Sequence, residues 1–369
     1  MKTTTRLLSV LLAAVLMFSS AACGSSQNSS QQQDSSPGSG VSATSSGGRT
    51  EPLTLRLGGL GSGREDDCQS YPIGRFKEIV ESRTDGMIKI EVFPDGQLGG
   101  EPDMMDQILT DSLDVGCLSA NVLATVWPEL YVYNLPFAFG NLDEFWQVCG
   151  LENKDFIDKI TSVVDDSGKA KFVSSFSAEF RGCQNTKHPI RSPEDFKGLT
   201  FRVMAGEIFT DIFRALGAST ATVPFGELYT GLQQGVVDGE DIGFSMFYDN
   251  KLYEIEKYAT QFNITPTVNA LIFSNSAWAK LSEEERSIIY EAAAEAEKYS
   301  FEVVNNVLSV KYFKPMAEQG VQVIKYTDLT KEELDACREA VQTVWDKFAP
   351  IVGEEVYTAF VDSVEKARG

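Results

Sequence analysis

Histidine is nearly absent. His188 is the only one in 369 residues, which excludes a metal site built from several imidazoles and leaves a Ser–His–Asp triad one candidate base. That candidate stands beside Pro189 and reads as a loop residue. Cysteine is sparse. Beyond Cys23 there are Cys68, Cys117, Cys149, Cys183 and Cys337, at spacings that match no metal motif and are too thin for a disulfide scaffold. One or two bridges could form, at least one thiol stays free, and the spacing does not choose the pairing. Long apolar runs are missing after the first two dozen positions, so no later segment is a membrane span by length. Basic residues are outnumbered, 32 against 53 acidic, for a net charge of −21. Nucleic acid and anionic lipid are poor partners for such a surface. An anionic small molecule is not excluded, but a basic residue must then create a local field against the global one.

What is present begins with an export signal. Lys2 and Arg6 precede an apolar run from Leu7 to Phe18, and Ser20-Ala21-Ala22-Cys23 supplies small residues at a cleavage point. The run is too short to span a bilayer comfortably. The ending resembles a bacterial lipobox, with Cys23 as the lipidated residue and Ser20 where Leu is usual. Residues 24–50 are Ser, Gln, Gly, Asn and Thr with almost no apolar side chain. Such a segment cannot offset its ordering entropy and reads as a flexible tether. The expected layout is a signal at 1–22 and a lipid-anchored linker at 23–50, on the outer face of the cytoplasmic membrane. The remainder exceeds the usual size of one core, so two lobes are expected.

Alternation at Leu53, Leu55 and Leu57 predicts a strand. The helical spacing of Ile73, Phe76, Ile79 and Val80 predicts a helix stopped by Gly86. Met87–Phe93 and Val115–Leu118 read as strands around a helix over 101–113. This order indicates an α/β lobe with a largely parallel sheet. The pattern recurs with strands at Lys171–Phe176, Leu199–Val203, Ser219–Val223, Val236-Val237 and Leu271–Phe273, and a helix face at Ile208, Ile212, Phe213 and Leu216. Ser282 with Glu285 and Thr330 with Glu333 form capping boxes. The helical run from Glu283 to about Ala317 would reach some 50 Å at 1.5 Å per residue, long enough to lie across both lobes.

Gly59-Leu60-Gly61-Ser62-Gly63 follows the first strand, but Arg64 stands where a dinucleotide fingerprint needs its last Gly. The loop reads as the carboxyl end of a strand, where open α/β sheets bind ligands. The adjacent carboxylates Glu240-Asp241 and Glu65-Asp66-Asp67 read as solvated in so acidic a chain, so acid/base catalysis is not expected. Arg202 interrupts an apolar strand and Arg181 ends the segment after Phe176. Composition alone makes a strand arginine a structural ion pair more often than a ligand clamp, although its planar fork suits a carboxylate.

Several blocks in one order resemble the substrate-binding proteins of TRAP transporters, the DctP-type family. They are Phe93-Pro94-Asp95-Gly96-Gln97-Leu98-Gly99-Gly100-Glu101, Leu135-Pro136-Phe137, Pro189-Ile190 through Gly198-Leu199-Thr200-Phe201-Arg202-Val203, and Ala215-Leu216-Gly217-Ala218 through Val223-Pro224-Phe225-Gly226-Glu227-Leu228-Tyr229 to Val236-Val237-Asp238-Gly239. Lys251-Leu252-Tyr253-Glu254 continues the match. The resemblance covers roughly residues 53–345. It implies a two-lobe periplasmic-binding-protein-like α/β fold with crossing strands and a long lobe-spanning helix. The expected division is 51–177 plus about 263–300 for lobe 1, and 178–262 plus about 301–369 for lobe 2.

The resemblance further implies an exported protein that captures a small organic acid and delivers it to a small and a large membrane subunit. It implies no cofactor, no catalysis and a monomer. A sensing module of the same fold, acting on a membrane receptor, is the alternative. The family's clamp falls on Arg202 and a second arginine on Arg181. Other cleft positions fall on Ser119, Phe225, Asn269, Gly58 and Gly59. One departure stands out. Where the family usually has Gln-Glu-Asn-Pro, this chain has Glu240-Asp241-Ile242-Gly243. Ile242 is expected to present an apolar wall to the ligand, and Asp241 to repel an anion if it faces inward. Both shift the expected ligand from a dicarboxylate to a monocarboxylate with apolar or amino substituents.

Overall fold

The computed structural model describes residues 49–369 apart from Asp66 and residues 308–310, with only the backbone described for 177, 178 and 303–307. The signal, the tether and Cys23 lie outside the described residues. Arg49–Gly369 forms one compact unit, built on ten strands: β1 Leu53–Gly58, β2 Ile88–Phe93, β3 Val115–Ser119, β4 Ala170–Asn185, β5 Thr200–Val203, β6 Ser219–Thr222, β7 Gly239–Gly243, β8 Tyr258–Thr260, β9 Pro266–Ser274 and β10 Gln322–Ile324. Their order is β2-β1-β3-β9-β4-β7-β5-β6, with β8 on β4 and β10 on β8. Outer pairs in each half are parallel (β1 with β2 and β3, β5 with β6 and β7), as strand–helix–strand units require. The middle pairs, β3–β9, β9–β4 and β4–β7, are antiparallel.

β4 makes the two lobes one molecule. Its 16 residues reach about 50 Å at 3.3 Å each. Ala170–Phe180 pairs with β9, and Arg181–Asn185 pairs with β7. Register shifts at Phe172/Ser174 and Ser177/Glu179 bend the strand as it changes partners. The return crossing is the segment into β9, where Thr265 O accepts from Arg181 N at 2.9 Å.

The amphipathic helices form as their spacing predicts. Ser70–Arg83 buries Ile73, Phe76, Ile79 and Val80, and Gly86 lies just beyond it at φ +74°. Glu207–Leu216 buries Ile208, Phe209, Ile212, Phe213 and Leu216, and Gly217 at φ +106° ends it in the left-handed conformation that spares Gly a Cβ clash. Both capping boxes are formed: Ser282 N donates to Glu285 Oε2 at 2.8 Å, and Thr330 N donates to Glu333 Oε2 at 2.8 Å. The long helix is described over Glu283–Val307, 25 residues or about 37 Å. A separate helix, Phe313–Glu318, follows.

One apolar cluster runs from Met104, Phe145 and Phe172 to Phe201, Phe209 and Phe213, so it is shared by both lobes. The C-terminal helices join it. Phe360 of helix Glu354–Arg368 packs on Phe139 and Phe156, at ring distances of 5.7 and 5.6 Å. Trp345 Nε1 donates to Pro136 O at 2.9 Å. The last helix therefore covers first-lobe elements, because their apolar faces need a cover the first lobe does not supply itself. A second cluster (Leu55, Phe76, Ile88, Phe273, Ile289) fills lobe 1, and a third (Leu228, Phe244, Phe247, Tyr312) fills lobe 2.

Candidate ligand cleft

The ends of β1 and β3, the crossing strands β4 and β9, and the second-lobe strands β5 and β7 converge where the lobes meet. Contacts bridge the lobes around this point. Arg64 Nη2 lies 2.6 Å from Asp249 Oδ2, Gln69 Nε2 lies 3.0 Å from Met246 Sδ, and Asn121 Nδ2 donates to Ala205 O. An open surface groove of about 1100 Å³ lies elsewhere, lined by Trp146, Lys154, Glu355 and Asp362 among others.

Two arginines occupy the convergence, and both are 4 % exposed. Pairing places Arg181 opposite Gly243, and Arg202 beside Glu240. Side chains alternate along a strand, so Arg181 shares a face with Asp241, and Arg202 shares the other with Glu240 and Ile242. Arg181 is engaged. Its Nε donates to Asp241 Oδ2 at 2.8 Å and an Nη donates to Asp241 O, with Phe209 5.1 Å below the guanidinium. Among the described residues Arg202 donates only through Nε, to Val223 O at 2.8 Å, and its guanidinium stands 6.0 Å from the Phe225 ring. No carboxylate among the described residues lies within ion-pair distance of it. Burial, and then the neighbouring Arg181 charge, lower its pKa to about 10, so it stays a cation at neutral pH.

The other expected positions lie around this pair or beneath it. Ser119 and Asn269 are cross-strand partners on β3 and β9. Ser119 is occupied, since its N and Oγ donate to Glu101 at 2.6 and 2.9 Å. The Asn269 amide has no hydrogen-bond partner among the described residues. Gly58 and Gly59 end β1 in a tight fit rather than a phosphate cradle. A Cβ on Gly58 would come 2.7 Å from Met104 Sδ, and Gly59 O accepts from Gly96 N at 3.1 Å.

The residues of β7 are more buried than expected. Ile242 is 2 % exposed and belongs to the apolar cluster of lobe 2 with Leu228, Phe244 and Tyr312. It lies on the face of β7 that it shares with Arg202, packed among those apolar side chains. Asp241 does not stand as a repelling charge, because Arg181 holds it. Nor are Glu240 and Asp241 solvated; both are 0 % exposed.

Three acidic groups went unrecognised in the sequence. Glu101 opens helix Glu101–Leu109; burial pushes its carboxyl pKa up, while Ser119 and the two arginines pull it down. Glu240 and Glu256 face each other, both 0 % exposed. Burial pushes Glu240 up to about 8 and Glu256 well up, so the pair holds a proton at neutral pH. Nothing in an acidic sequence marks one carboxylate as buried. The five described cysteines are all buried free thiols, and burial pushes Cys117 and Cys337 up to about 12.

The DctP family profile, bacterial extracellular solute-binding protein family 7, matches residues 64–350. The chain belongs to this family. As a DctP-type protein it is a solute-binding component of transport that works outside the cytoplasm, and its fold is the two-lobe α/β fold of TRAP periplasmic binding proteins. Among its relatives is the C4-dicarboxylate-binding periplasmic protein of Shewanella loihica, 28% identical over 79% of this chain and 84% of the relative. The ectoine/5-hydroxyectoine-binding periplasmic protein of Ruegeria pomeroyi is 27% identical over 78% of this chain and 83% of its own. The sugar acid binding protein of Advenella mimigardefordensis, solved in complex with galactonate, superposes with a TM-score of 0.78 at 26% identity, covering 86% of this chain and 99% of that one.

Proposed function

We propose that this DctP-type protein captures a small organic acid with a single carboxylate and delivers it to the two membrane subunits of a TRAP-type importer. One observation carries the ligand class. Of the two buried guanidiniums, Arg181 is already neutralised by Asp241, and Arg202 keeps four N–H groups unused among the described residues. One open fork matches one carboxylate. Asn269, Ser119 and Phe225 would complete the pocket, with Gly58 and Gly59 allowing close approach. Relatives whose names give C4-dicarboxylates, ectoine and galactonate share an acid group, which supports a carboxylate anchor. The protein acts as a monomer, does no covalent chemistry, and is held at the membrane by lipid on Cys23.

The test is calorimetry with a panel of organic acids. Truncating one partner of a buried charge pair costs about 2–5 kcal/mol, roughly 30- to several-thousand-fold in affinity. Arg202→Lys keeps the charge but loses the fork, so it should not rescue binding. Near-native affinity in Arg202→Lys would remove Arg202 as the anchor.

A further inference from the structure

We propose that lobe closure takes up a proton at Glu179, so that this protein captures its solute more tightly as the medium turns acidic. The proposal rests on the reading of the cleft as a closing trap and adds a regulator to it.

Glu179 lies on the crossing strand β4, at the register shift between the two lobes, and is 1 % exposed. Both lobes bury it. From lobe 2, Ser245 N donates to both carboxylate oxygens, at 3.2 and 3.1 Å, and Ser245 Oγ donates as well. Gly243 makes the room, since a Cβ there would fall 1.9 Å from Glu179 Oε1. From lobe 1, the loop before helix Ser70–Arg83 reaches the same element, with Gln69 Nε2 3.0 Å from Met246 Sδ and Arg64 Nη2 2.6 Å from Asp249 Oδ2, and it carries Asp67 and the buried Cys68. That loop is rigid, because Asp67 accepts from Ser62 N, Gln69 N and Ser70 N.

The charges facing Glu179 decide its protonation. Asp67 opposes its ionisation from lobe 1, and the Ser245 and Met246 N–H groups favour it from lobe 2. Burial and the Glu179 charge raise the pKa of the Cys68 thiol, while the Lys311 charge, which also acts on Asp249, lowers it. Arg181, two residues along the strand, is engaged by Asp241, and Asp249 is paired with Arg64. No cation among the described residues lies within ion-pair distance of Glu179. Burial leads, and the carboxyl sits at about 7.

Opening carries Asp67 and Cys68 away and admits water. An ordinary glutamate titrates near 4.3. Between the two values the closed form holds a proton that the open form lacks. The closed state is therefore favoured below the open-form value, and that advantage is lost as pH rises through about 7. Within the window the closure constant falls tenfold per unit and then flattens, so the change from pH 6 to pH 8 is about tenfold.

Cys68 is a native reporter of opening and needs no ligand, so the test stands apart from whether an organic acid binds. The protein is alkylated with iodoacetamide at pH 6 to 8, and labelling of the Cys68 peptide is followed by mass spectrometry. The other four buried cysteines report global unfolding. Dividing by the same rates in Glu179→Gln cancels the intrinsic pH dependence of the thiol. The ratio of wild type to Glu179→Gln should rise about tenfold from pH 6 to pH 8, and Glu240→Gln should keep the rise. A flat ratio overturns the proposal, as does a rise abolished by Glu240→Gln. If Glu179→Gln does not fold, Ser245→Ala replaces it. Losing a donor to the ionised carboxylate should move the loss of Cys68 protection to higher pH, and an unmoved profile refutes the assignment.

Discussion

Asp241→Asn separates the two arginines by function. The substitution keeps size and an acceptor for Arg181 Nε, now at 2.8 Å from Asp241 Oδ2, but removes the charge. Breaking a buried pair by neutralising one partner costs about 3–5 kcal/mol, and the retained neutral hydrogen bond returns about 1 kcal/mol. The ligand-free protein should therefore lose about 2–4 kcal/mol. For a unit of this size that is a fall in Tm of about 3–6 °C. The freed Arg181 then offers a second carboxylate site, across the sheet from Arg202. A charge-assisted bond is worth about 1.5–3 kcal/mol, so a dicarboxylate should gain about 10- to 150-fold over a monocarboxylate of the same length.

Succinate and butyrate are the matched probes, differing by one carboxylate. Thermal shift ranks them and calorimetry measures them, since a ligand stabilises by RT ln(1 + [L]/Kd). Wild type should prefer the single acid, and Asp241→Asn should invert or level that preference. A preference unchanged in the variant, with stability lowered as expected, would show that Asp241 supports the fold but does not set the number of carboxylates. No response to either acid in either protein would defeat the carboxylate reading of the cleft.

The Glu240–Glu256 pair gives a pH prediction of definite sign. Glu240 is raised to about 8 in the folded protein, so the native state holds a proton the unfolded chain has lost, and stability declines as pH rises from about 5 through 8. Glu240→Gln should flatten that decline and be the more stable protein at pH 9 by urea unfolding; parallel curves would contradict it. Glu297, raised to about 8 by burial, leaves a residual slope in both. At the other end of the chain, Cys23→Ser should release the protein from membranes or block its processing, because the diacylglycerol of a bacterial lipoprotein supplies the two chains stable anchoring needs. Unchanged membrane association on cell fractionation would refute lipidation at Cys23.

What could be read in advance divides along physical lines. β1, β5 and the helices Ser70–Arg83 and Glu207–Leu216 face a core on one side, so their apolar residues keep a period, and their bounds come close. β4 does not. Ser174 and Ser175 are buried at 0 and 1 % exposure in mid-strand, because a crossing strand is covered by protein on both faces and its polar groups meet other polar groups. Only its start, Lys171–Phe176, looked like a strand. β7 was misplaced at Val236-Val237 for a related reason. The strand begins at Gly239 and carries two carboxylates, a composition that suits a solvated turn in any acidic chain. Arg202 was legible as an interruption in an apolar strand. Its difference from Arg181 was not, because that difference is made by Asp241, 60 positions away in sequence.

The same contrast bears on how the anion site proposed at Arg202 would survive in so acidic a protein. With a net charge of −21, a lone buried guanidinium would draw the nearest carboxylate and close its own site. Here the carboxylates close at hand are committed elsewhere. Asp241 is held by Arg181, Glu101 by Ser119, and Glu240 shares a proton with Glu256. Each commitment removes a competitor for Arg202 without removing its field, so Arg202 remains charged while its Nη groups stay open. Arg181 holds Asp241 on the face of the sheet opposite Arg202. If Arg202 is the anchor, removing Arg181 should weaken calorimetric binding through the uncompensated Asp241 charge and not through a lost ligand contact.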